Sequence, residues 1–490
     1  MTRVVVLGGG IAGLTAAFRR ASAGETVILE AGPQAGGSIR TIREDGFTLE
    51  CGPNTLRTTE AAERLLADLG LEPRTVKADD KAPRWIVRGG SPRAVVPGPA
   101  ALFNKVFTTR GKLRLLKEPF VAPRPASLED ESVHSFFARR FGEEAALYGA
   151  GPMVSGVYAG DPRSLSMRSA FPRLWEAEGR SGSVIRDFFK KKEKEEESLR
   201  GEERKGGAAG GVVSHGAAVA PTAGATGNPA RHRARTLTFD GGLFTLIESL
   251  QQHLGSRPGF RLELNAAAVA IEGPRIPAPP GRRWTVRVAD GRTFDADVLV
   301  STLTAPADAR LLGGVLTRSA AALALVPSSP VTVVMQAYPA PASRRDAPHG
   351  FGGLIPQVEG FRSLGILYPA SLFTGRAPEG FVLTTSFLGG ALDRELASAP
   401  DANLLEIASA EVARFFPRLG PAARSWIARW PEAIPQPPLG HHRTLAALEQ
   451  DLAALDAAAP GALHATGGFR DGIAVGERVA SGEAIGKSLA

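Results

Sequence analysis

The hydrophobic pattern at the start of the chain predicts a strand, a tight turn, a helix and a second strand. Residues 4–7 are an uninterrupted apolar run, three glycines follow, residues 11–23 carry apolar side chains at helical spacing, and residues 27–30 are apolar until the last position. A short apolar run between turn residues is typical of a strand buried on both faces, as in a parallel sheet. The first 30 residues therefore predict one βαβ unit.

Further along, the pattern alternates between helical and strand-like segments. Residues 58–69 predict a capped amphipathic helix, and short apolar runs on either side of Gly89-Gly90 predict a hairpin. Residues 99–186 are mainly helical in pattern. Strands are predicted at 284–288, 298–301, 331–336, 364–368 and 382–386. The fold class is therefore α/β, with a strand-rich second half.

The charge of the chain is concentrated in one segment. Of a formal net charge of +8, half lies within 190–235, where ten Lys and Arg residues accompany six Glu. No zinc-finger, RNA-recognition or homeodomain signature accompanies this charge, so nucleic acid is not a predicted partner. Residues 206–228 contain almost no large apolar side chain and predict a flexible, low-complexity insert.

The chain has one cysteine, Cys51. A single thiol excludes an intrachain disulfide, a Cys-x-x-Cys redox pair and a thiolate zinc or iron–sulfur site. The eight histidines show no His-x-x-x-His spacing, and no Gly-x-Ser-x-Gly motif occurs, so neither a metal centre nor a serine hydrolase is predicted. Redox chemistry in this chain requires another carrier.

Membrane attachment is left open by the pattern. Residues 1–3 run directly into the first apolar strand, which predicts no presequence, and no window of about 18 uninterrupted apolar residues predicts a spanning helix. Residues 102–107 and 112–117 interleave apolar and basic side chains. Such segments either lie on an anionic membrane surface or cover a protein core with extended lysines.

The strongest chemical motif follows the first strand. Gly8-x-Gly10-x-x-Gly13 opens the predicted helix, and Glu30 ends the next strand. The first glycine permits the turn, the second lets the backbone approach a pyrophosphate, and the third lets helix and strand pack closely. The acidic residue is placed to bind an adenosine ribose. The motif therefore predicts a dinucleotide site.

Residues beyond Glu30 resemble the flavin monoamine-oxidase superfamily, whose cofactor is FAD. Gly36, Gly37 and Arg40 match the superfamily's paired glycines and phosphate-side arginine, and residues 467–476 resemble its closing flavin motif. The resemblance implies cofactor contacts from a wider set of residues: Gly8, Gly10, Gly13, Glu30, Gly36, Gly37, Arg40, Gly52, Val269, Trp430, Gly472, Ile473, Ala474 and Val475.

Motifs in the middle of the chain resemble the protoporphyrinogen oxidase group of that superfamily. They are Ala-Pro-Arg-Trp at 82–85, Ser-Gly-Val-Tyr-Ala-Gly-Asp at 155–161 and Ala-Ile-Pro-Gln at 433–436. The resemblance implies that Arg84 anchors a tetrapyrrole propionate, that Gly156 lines the pocket, and that Leu354 and Phe373 enclose a pyrrole ring. No protein side chain is predicted to be catalytic, because flavin N5 performs the chemistry.

The implied reaction converts protoporphyrinogen IX to protoporphyrin IX in tetrapyrrole and haem biosynthesis. Six electrons leave in three hydride transfers to the flavin, which dioxygen or a quinone reoxidises. Three alternatives stay open: a coproporphyrinogen III oxidase of the same family, a flavin amine oxidase or desaturase, and a binding protein of the GDP-dissociation-inhibitor type that uses no flavin. Phe469 and the Gly-Glu-Arg at 476–478 depart from the group's usual closing motif.

The resemblance also predicts how the chain is divided. A Rossmann-like FAD-binding domain is expected from residues 1–80, 236–302 and 440–490, a helical, membrane-associating subdomain from 81–190, the flexible insert from 191–235, and a strand-rich substrate domain with a mixed sheet from 303–439. The expected location is cytoplasmic, with peripheral attachment to a bacterial inner membrane rather than an organelle. A homodimer is compatible with this assignment.

Overall fold

The computed structural model describes residues 2–20, 24–95, 104–191, 234–276 and 283–489. The insert predicted to be flexible at 206–228 lies outside these residues, as does most of the 191–235 segment. The Lys- and Glu-rich run after residue 191 is likewise outside the described part of the chain.

The described chain contains both strands and helices. The strands are β1 Val4–Leu7, β2 Thr26–Leu29, β3 Thr41–Glu44, β4 Phe47–Glu50, β5 Leu56–Arg57, β6 Thr75–Lys77, β7 Arg84–Arg88, β8 Ser91–Val95, β9 Thr236–Phe239, β10 Phe260–Glu263, β11 Ala268–Glu272, β12 Trp284–Val288, β13 Thr293–Ala296, β14 Val298–Ser301, β15 Ser328–Pro339, β16 Gly352–Leu354, β17 Ser363–Leu367, β18 Phe381–Gly389, β19 Arg424–Pro435 and β20 Leu463–Ala465. The helices are α1 Ile11–Arg19, α2 Glu60–Asp68, α3 Thr109–Leu116, α4 Val133–Phe141, α5 Glu143–Ala145, α6 Gly151–Tyr158, α7 Met167–Ala170, α8 Pro172–Ser181, α9 Phe244–Gly255, α10 Ala305–Leu312, α11 Ala320–Ala324, α12 Pro369–Leu372, α13 Asp401–Phe415, α14 His441–Ala458, α15 Gly468–Asp471 and α16 Val475–Ser488. A π-helical turn spans Ala146–Ala150, and a 3₁₀ turn spans Glu118–Phe120.

A five-stranded parallel sheet forms the first layer, in the order β10-β2-β1-β14-β20. All four residues of the central strand β1 are buried, which explains its uninterrupted apolar sequence. The strands come from the three segments expected to form the dinucleotide domain. Because they are parallel, their carboxyl ends meet at one edge, where ligands of such sheets bind.

Helices α1 and α16 pack side by side against this sheet. A Cβ at Gly482 would lie 2.4 Å from the Ala12 carbonyl oxygen, and one at Gly486 would lie 2.5 Å from the Ala16 carbonyl oxygen. Glycine therefore allows the two backbones to approach closely. Both contacts advance along the two helices in the same direction, so α1 and α16 run parallel.

A seven-stranded mixed sheet forms the second layer, in the order β19-β15-β18-β17-β16-β7-β8. The predicted hairpin around Gly89-Gly90 is confirmed as the antiparallel pair β7 and β8. This hairpin joins the sheet through parallel pairing of β7 with β16. The boundary predicted at residue 81 is therefore corrected: residues 84–95 belong to the substrate-side sheet, because β16 needs a backbone partner on that edge.

Helix α6 packs against β16 and β17 of this sheet. The helical segment from α3 to α8 contains a fully buried ion pair, in which Arg140 Nε donates to Glu118 Oε1 at 2.8 Å, and Arg140 also donates to the carbonyl oxygen of Val121 at 3.0 Å. A buried charge with this many partners fixes the arrangement of the helices around it. Among the described helices, none is long and apolar enough to cross a membrane.

Candidate active site

The glycine motif lies at the carboxyl edge of the parallel sheet. Gly8 has φ +100°, a conformation that favours glycine, and a Cβ at Gly13 would lie 2.2 Å from the Gly8 carbonyl oxygen. A Cβ at Gly10 would meet no protein atom within 4 Å. The motif therefore combines a forced turn, a close helix contact and an open position in front of α1.

No side chain caps the N-terminus of α1, since its N-cap residue is Gly10. The first backbone N–H groups of a helix attract anions, and the positive end of the helix dipole adds to this attraction. Gly10 also forms an isolated bridge with Gly36, whose N–H donates to the Gly9 carbonyl oxygen at 2.8 Å. Gly37 has φ +59° and continues this turn beside Gly10.

Glu30 is held at the end of β2 by two backbone N–H groups. Gly9 N donates to Oε2 and Gly32 N donates to Oε1, both at 2.8 Å. These bonds orient the carboxylate beside the glycine turn while leaving each oxygen a further lone pair. Such a fixed carboxylate suits a ribose diol.

Arg40 and Trp430 come together although they are 390 residues apart in the sequence. The Arg40 guanidinium lies 5.1 Å from the Trp430 ring centroid, and Trp430 Nε1 donates to the Cys51 carbonyl oxygen at 2.6 Å. Cys51 N in turn donates to the Arg40 carbonyl oxygen. Neighbouring Gly52 passes Ser38 so closely that a Cβ would lie 2.1 Å from its carbonyl oxygen.

The closing motif places the start of α16 beyond the start of α1. Gly472 has φ +96°, Ile473 packs on the helical core, Ala474 is the N-cap, and Val475 begins α16. Because Gly482 lies beside Ala12, the first turn of α16 extends about 9 Å past that of α1 at 1.5 Å per residue. If a ligand phosphate binds at the start of α1, the start of α16 therefore lies beside the next part of that ligand.

Val269 lies away from this turn, at a bulge in β11. The pairing with β12 shifts between Ala268 and Ala270, and the Val269 side chain is 49% exposed. The loop leading to β11 is bonded to the Glu30 strand, since Ala266 N donates to the Glu30 carbonyl oxygen at 2.8 Å. The bulge therefore leaves Val269 backbone groups unpaired near the ribose end of the site.

These residues fit FAD. The open position at Gly10, the uncapped α1 and the held Glu30 offer a pyrophosphate site next to a ribose site. Arg40, whose guanidinium lies over the Trp430 ring, and the start of α16 would hold the next part of the ligand. FAD is an extended dinucleotide that ends in a flat ring, and its parts match the order in which these contacts are arranged.

Three of the four predicted substrate residues come together on the substrate-side sheet. Leu354 on β16 contacts α6, because a Cβ at Gly156 would lie 2.3 Å from Leu354 Cδ2. Arg84 pairs with Gly352 and Ile86 with Leu354, which places Arg84 and Leu354 on one face of the sheet. The exposed Arg84 guanidinium lies 5.1 Å from the Phe351 ring centroid.

The contact described for the fourth residue, Phe373, is with Arg376 and not with Arg84, Gly156 or Leu354. Phe373 is 4% exposed, and its ring lies 5.5 Å from the buried Arg376 guanidinium, which pairs with Glu50. Its predicted position against a pyrrole ring stays a prediction.

Sequence reasoning missed Glu477, in the first turn of α16. This side chain is buried, Oε2 accepts a hydrogen bond from Ala474 N at 3.1 Å, and Oε1 has no hydrogen-bond partner among the described residues. Burial raises its pKa to about 7. An acidic residue three positions into a helix is a common capping signal, so its spacing alone did not indicate a site.

Comparisons with known proteins define the class of this chain. A family model described as flavin containing amine oxidoreductase matches residues 11–480. The chain belongs to this family and is an FAD-dependent oxidoreductase. The predicted FAD cofactor is thereby confirmed, and a binding protein that uses no flavin is excluded.

The curated relatives are porphyrinogen oxidases, a narrower group than the family. The chain is 29% identical to chloroplastic protoporphyrinogen oxidase 1 of Arabidopsis thaliana over 100% of this chain and 86% of that protein. It is 26% identical to coproporphyrinogen III oxidase of Bacillus subtilis over 98% of this chain and 96% of that protein. The predicted resemblance to the protoporphyrinogen oxidase group is confirmed.

A solved structure of a protein from Exiguobacterium sp. 255-15 shares the fold. It superposes with a TM-score of 0.74 at 19% identity, covering 100% of this chain and 98% of that one. The predicted α/β class with a Rossmann-like FAD-binding fold is confirmed.

Proposed function

We propose that this chain oxidises protoporphyrinogen IX to protoporphyrin IX. The observation that carries the proposal is the grouping of Arg84, Leu354 and Gly156 on the sheet face covered by α6. It offers an apolar wall with one cation at its edge, as a flat ring bearing propionates requires. The full-length similarity to a plant protoporphyrinogen oxidase supports the same substrate.

The reaction removes six electrons and six protons from the macrocycle. FAD, when bound, accepts the electrons in pairs, and dioxygen or a quinone is proposed to take them on. The residues of this chain supply binding and orientation: Leu354 excludes water from one side of the ring, and Arg84 holds a propionate. The pyrrole protons are proposed to leave to water.

Coproporphyrinogen III is the second candidate substrate. The Bacillus subtilis relative favours it, and so does the excess of arginine near the pocket described below. Its macrocycle carries four carboxylates where protoporphyrinogen IX carries two. The plant relatives and the middle motifs support protoporphyrinogen IX as the first candidate.

A comparison of kcat/KM for the two porphyrinogens, followed by porphyrin fluorescence in air, tests the proposal. We expect turnover of both, with the higher kcat/KM for protoporphyrinogen IX. A higher kcat/KM for coproporphyrinogen III would reverse the order. Turnover of neither, with oxidation of an amine or a carotenoid, would reject the tetrapyrrole substrate.

We also propose peripheral attachment to a membrane, through α3 and the following 3₁₀ turn. Leu113, Leu116 and Phe120 are 56%, 53% and 83% exposed, and Arg110 and Lys117 are exposed on the same segment. Three exposed large apolar side chains beside cations suit the surface of an anionic bilayer. Attachment to a bacterial inner membrane from the cytoplasm, and a homodimer, remain predictions.

A further inference from the structure

Arg57 lies against the start of α16, a position that the sequence did not reveal. It ends the short strand β5. A Cβ built at Gly476 would lie only 2.3 Å from the Arg57 carbonyl oxygen. The next residues confirm this contact, since Thr59 Oγ1 donates to the Gly476 carbonyl oxygen at 3.1 Å. Arg57 therefore lies against the first turn of α16.

The Arg57 guanidinium is half-buried and makes no hydrogen bond or ion pair with any described residue. Burial lowers its pKa, and the charges of Arg84 and Arg173 lower it further. A partly desolvated cation among other cations is costly unless an anion occupies the site.

Arg57 lies near Arg84 on the pocket face. Burial lowers the Arg57 pKa, and the Arg84 charge is near enough to lower it further. Arg84 lies one strand from Leu354, the residue that contacts α6 at Gly156. Arg84 also has no ion pair among the described residues.

We propose that Arg57 is a second carboxylate-binding residue of the substrate pocket, which binds one propionate of a tetrapyrrole while Arg84 binds the other. The inference rests on the proposed function. Protoporphyrinogen IX carries its two propionates on neighbouring pyrrole rings, so both point to one edge of the macrocycle. Two guanidinium groups flanking one wall can hold that edge and fix which side of the ring faces the cofactor.

Arg57 is a specificity residue in this assignment and not part of the FAD site. The FAD phosphates are accounted for by the start of α1 and by Arg40, about 9 Å behind the first turn of α16. Arg57 lies beyond these phosphate contacts, because its backbone packs against the first turn of α16.

Porphyrin binding to the FAD-loaded enzyme tests the assignment. The probes are protoporphyrin IX and its dimethyl ester in the same detergent, measured by protein fluorescence quenching. For the wild type we expect the diacid to bind about 100-fold tighter than the ester. Arg57→Gln and Arg84→Gln should each reduce this ratio about tenfold, and the double variant should bring it near one. Binding of the ester, the FAD content and the melting temperature should stay unchanged.

Two further variants separate charge from structure. Arg57→Lys should reduce the ratio less than Arg57→Gln does, because lysine keeps the charge but loses the planar two-point contact of a guanidinium. Arg287→Gln removes an exposed cation of β12 and should change nothing.

Each contrary result has a defined meaning. A wild-type ratio in Arg57→Gln, with a reduced ratio in Arg84→Gln, overturns the inference and leaves the proposed function intact. A lower FAD affinity in Arg57→Gln also overturns it, since Arg57 would then bind the cofactor. If the wild type binds neither porphyrin, both the proposed function and the inference fail.

Discussion

At Gly10 the absence of a side chain leaves space for the cofactor. A side chain there would meet no protein atom within 4 Å, yet it would project in front of the uncapped start of α1. Its absence therefore serves the ligand and not the packing. This separates Gly10 from Gly13, where a Cβ would collide with the Gly8 carbonyl oxygen.

Gly10→Val should therefore weaken FAD binding at least about tenfold, or about 1.4 kcal/mol, without unfolding the apoprotein. Titration of the apoprotein with FAD, together with its melting temperature, measures both effects. Gly314→Val is the matched control, because Gly314 is exposed and also has no atom within 4 Å of a built Cβ. Unchanged FAD affinity in Gly10→Val would remove the pyrophosphate from this position.

Arg84→Ala should lower kcat/KM for protoporphyrinogen IX by about 1.5–3 kcal/mol, because it removes a charge-assisted bond to a propionate. The FAD content should stay unchanged, since Arg84 lies on the substrate-side sheet. Steady-state kinetics and the flavin absorbance of the same preparation provide the two readouts. Wild-type kinetics would place the propionate elsewhere.

At the scale of single residues, the sequence pointed to the glycines, Glu30 and Arg40 because each belongs to a spaced motif. It did not point to Arg57 or Glu477. Their role depends on β5 meeting the first turn of α16, a contact between residues more than 400 positions apart. No local pattern carries that information.

Among the elements, the buried strands were the most predictable. The strands expected at 284–288 and 298–301 have those exact bounds, because Pro, Gly and charged residues flank short apolar runs. The helix expected over 11–23 instead ends at Arg19. Arg20 is extended, and its guanidinium donates to the carbonyl oxygens of Thr2 and Glu25, which ties the chain ends of β1 and β2 together.

The hairpin of β3 and β4 was missed although its turn carries a signal. Asp45 and Gly46 both have positive φ, and Asp-Gly is a favoured pair for such turns. The flanking strands are only four residues long, and β3 is not buried, so their hydrophobic pattern was weak. The place of β7 and β8 in the large sheet was also unpredictable, because β16 contributes only three residues.

The exposed apolar side chains of α3 and the following 3₁₀ turn form the surface that we propose attaches to a membrane. The double variant Leu113→Ser/Phe120→Ser should lose most binding to vesicles of anionic phospholipid, since it removes two of the three most exposed apolar side chains there. Co-sedimentation measures the bound fraction. Leu325→Ser is the control, because Leu325 is 79% exposed outside this segment. Absence of wild-type binding would reject membrane attachment through this surface.

For the molecule as a whole, burial of Asp308 makes the free energy of unfolding depend on pH. This carboxyl group is fully buried on α10, accepts a hydrogen bond from Ser301, and has a pKa raised by burial to about 7. Its unfolded value is about 3.9. As the pH rises, Asp308 therefore stays protonated to a higher pH in the folded state than in the unfolded state. The stabilisation present at about pH 4 is lost as the pH rises through about 7.

Consequently, the free energy of unfolding of the wild type should fall more steeply between about pH 4 and 8 than that of Asp308→Asn. The difference should be about 2–4 kcal/mol across this range, and urea unfolding at several pH values measures it. Glu477 contributes in the same direction in both proteins, so it cancels from the comparison. Parallel pH curves would show that Asp308 is ionised in the folded state.

We propose that FAD at the edge of the parallel sheet receives electrons from a tetrapyrrole held by the second sheet. An anaerobic titration of the FAD-loaded protein with protoporphyrinogen IX, followed by the flavin absorbance near 450 nm, tests it most directly. The structure predicts that the flavin band is lost at one third of an equivalent of substrate, because each macrocycle gives three electron pairs, and that air restores it. A flavin band that persists in excess porphyrinogen would contradict the claim.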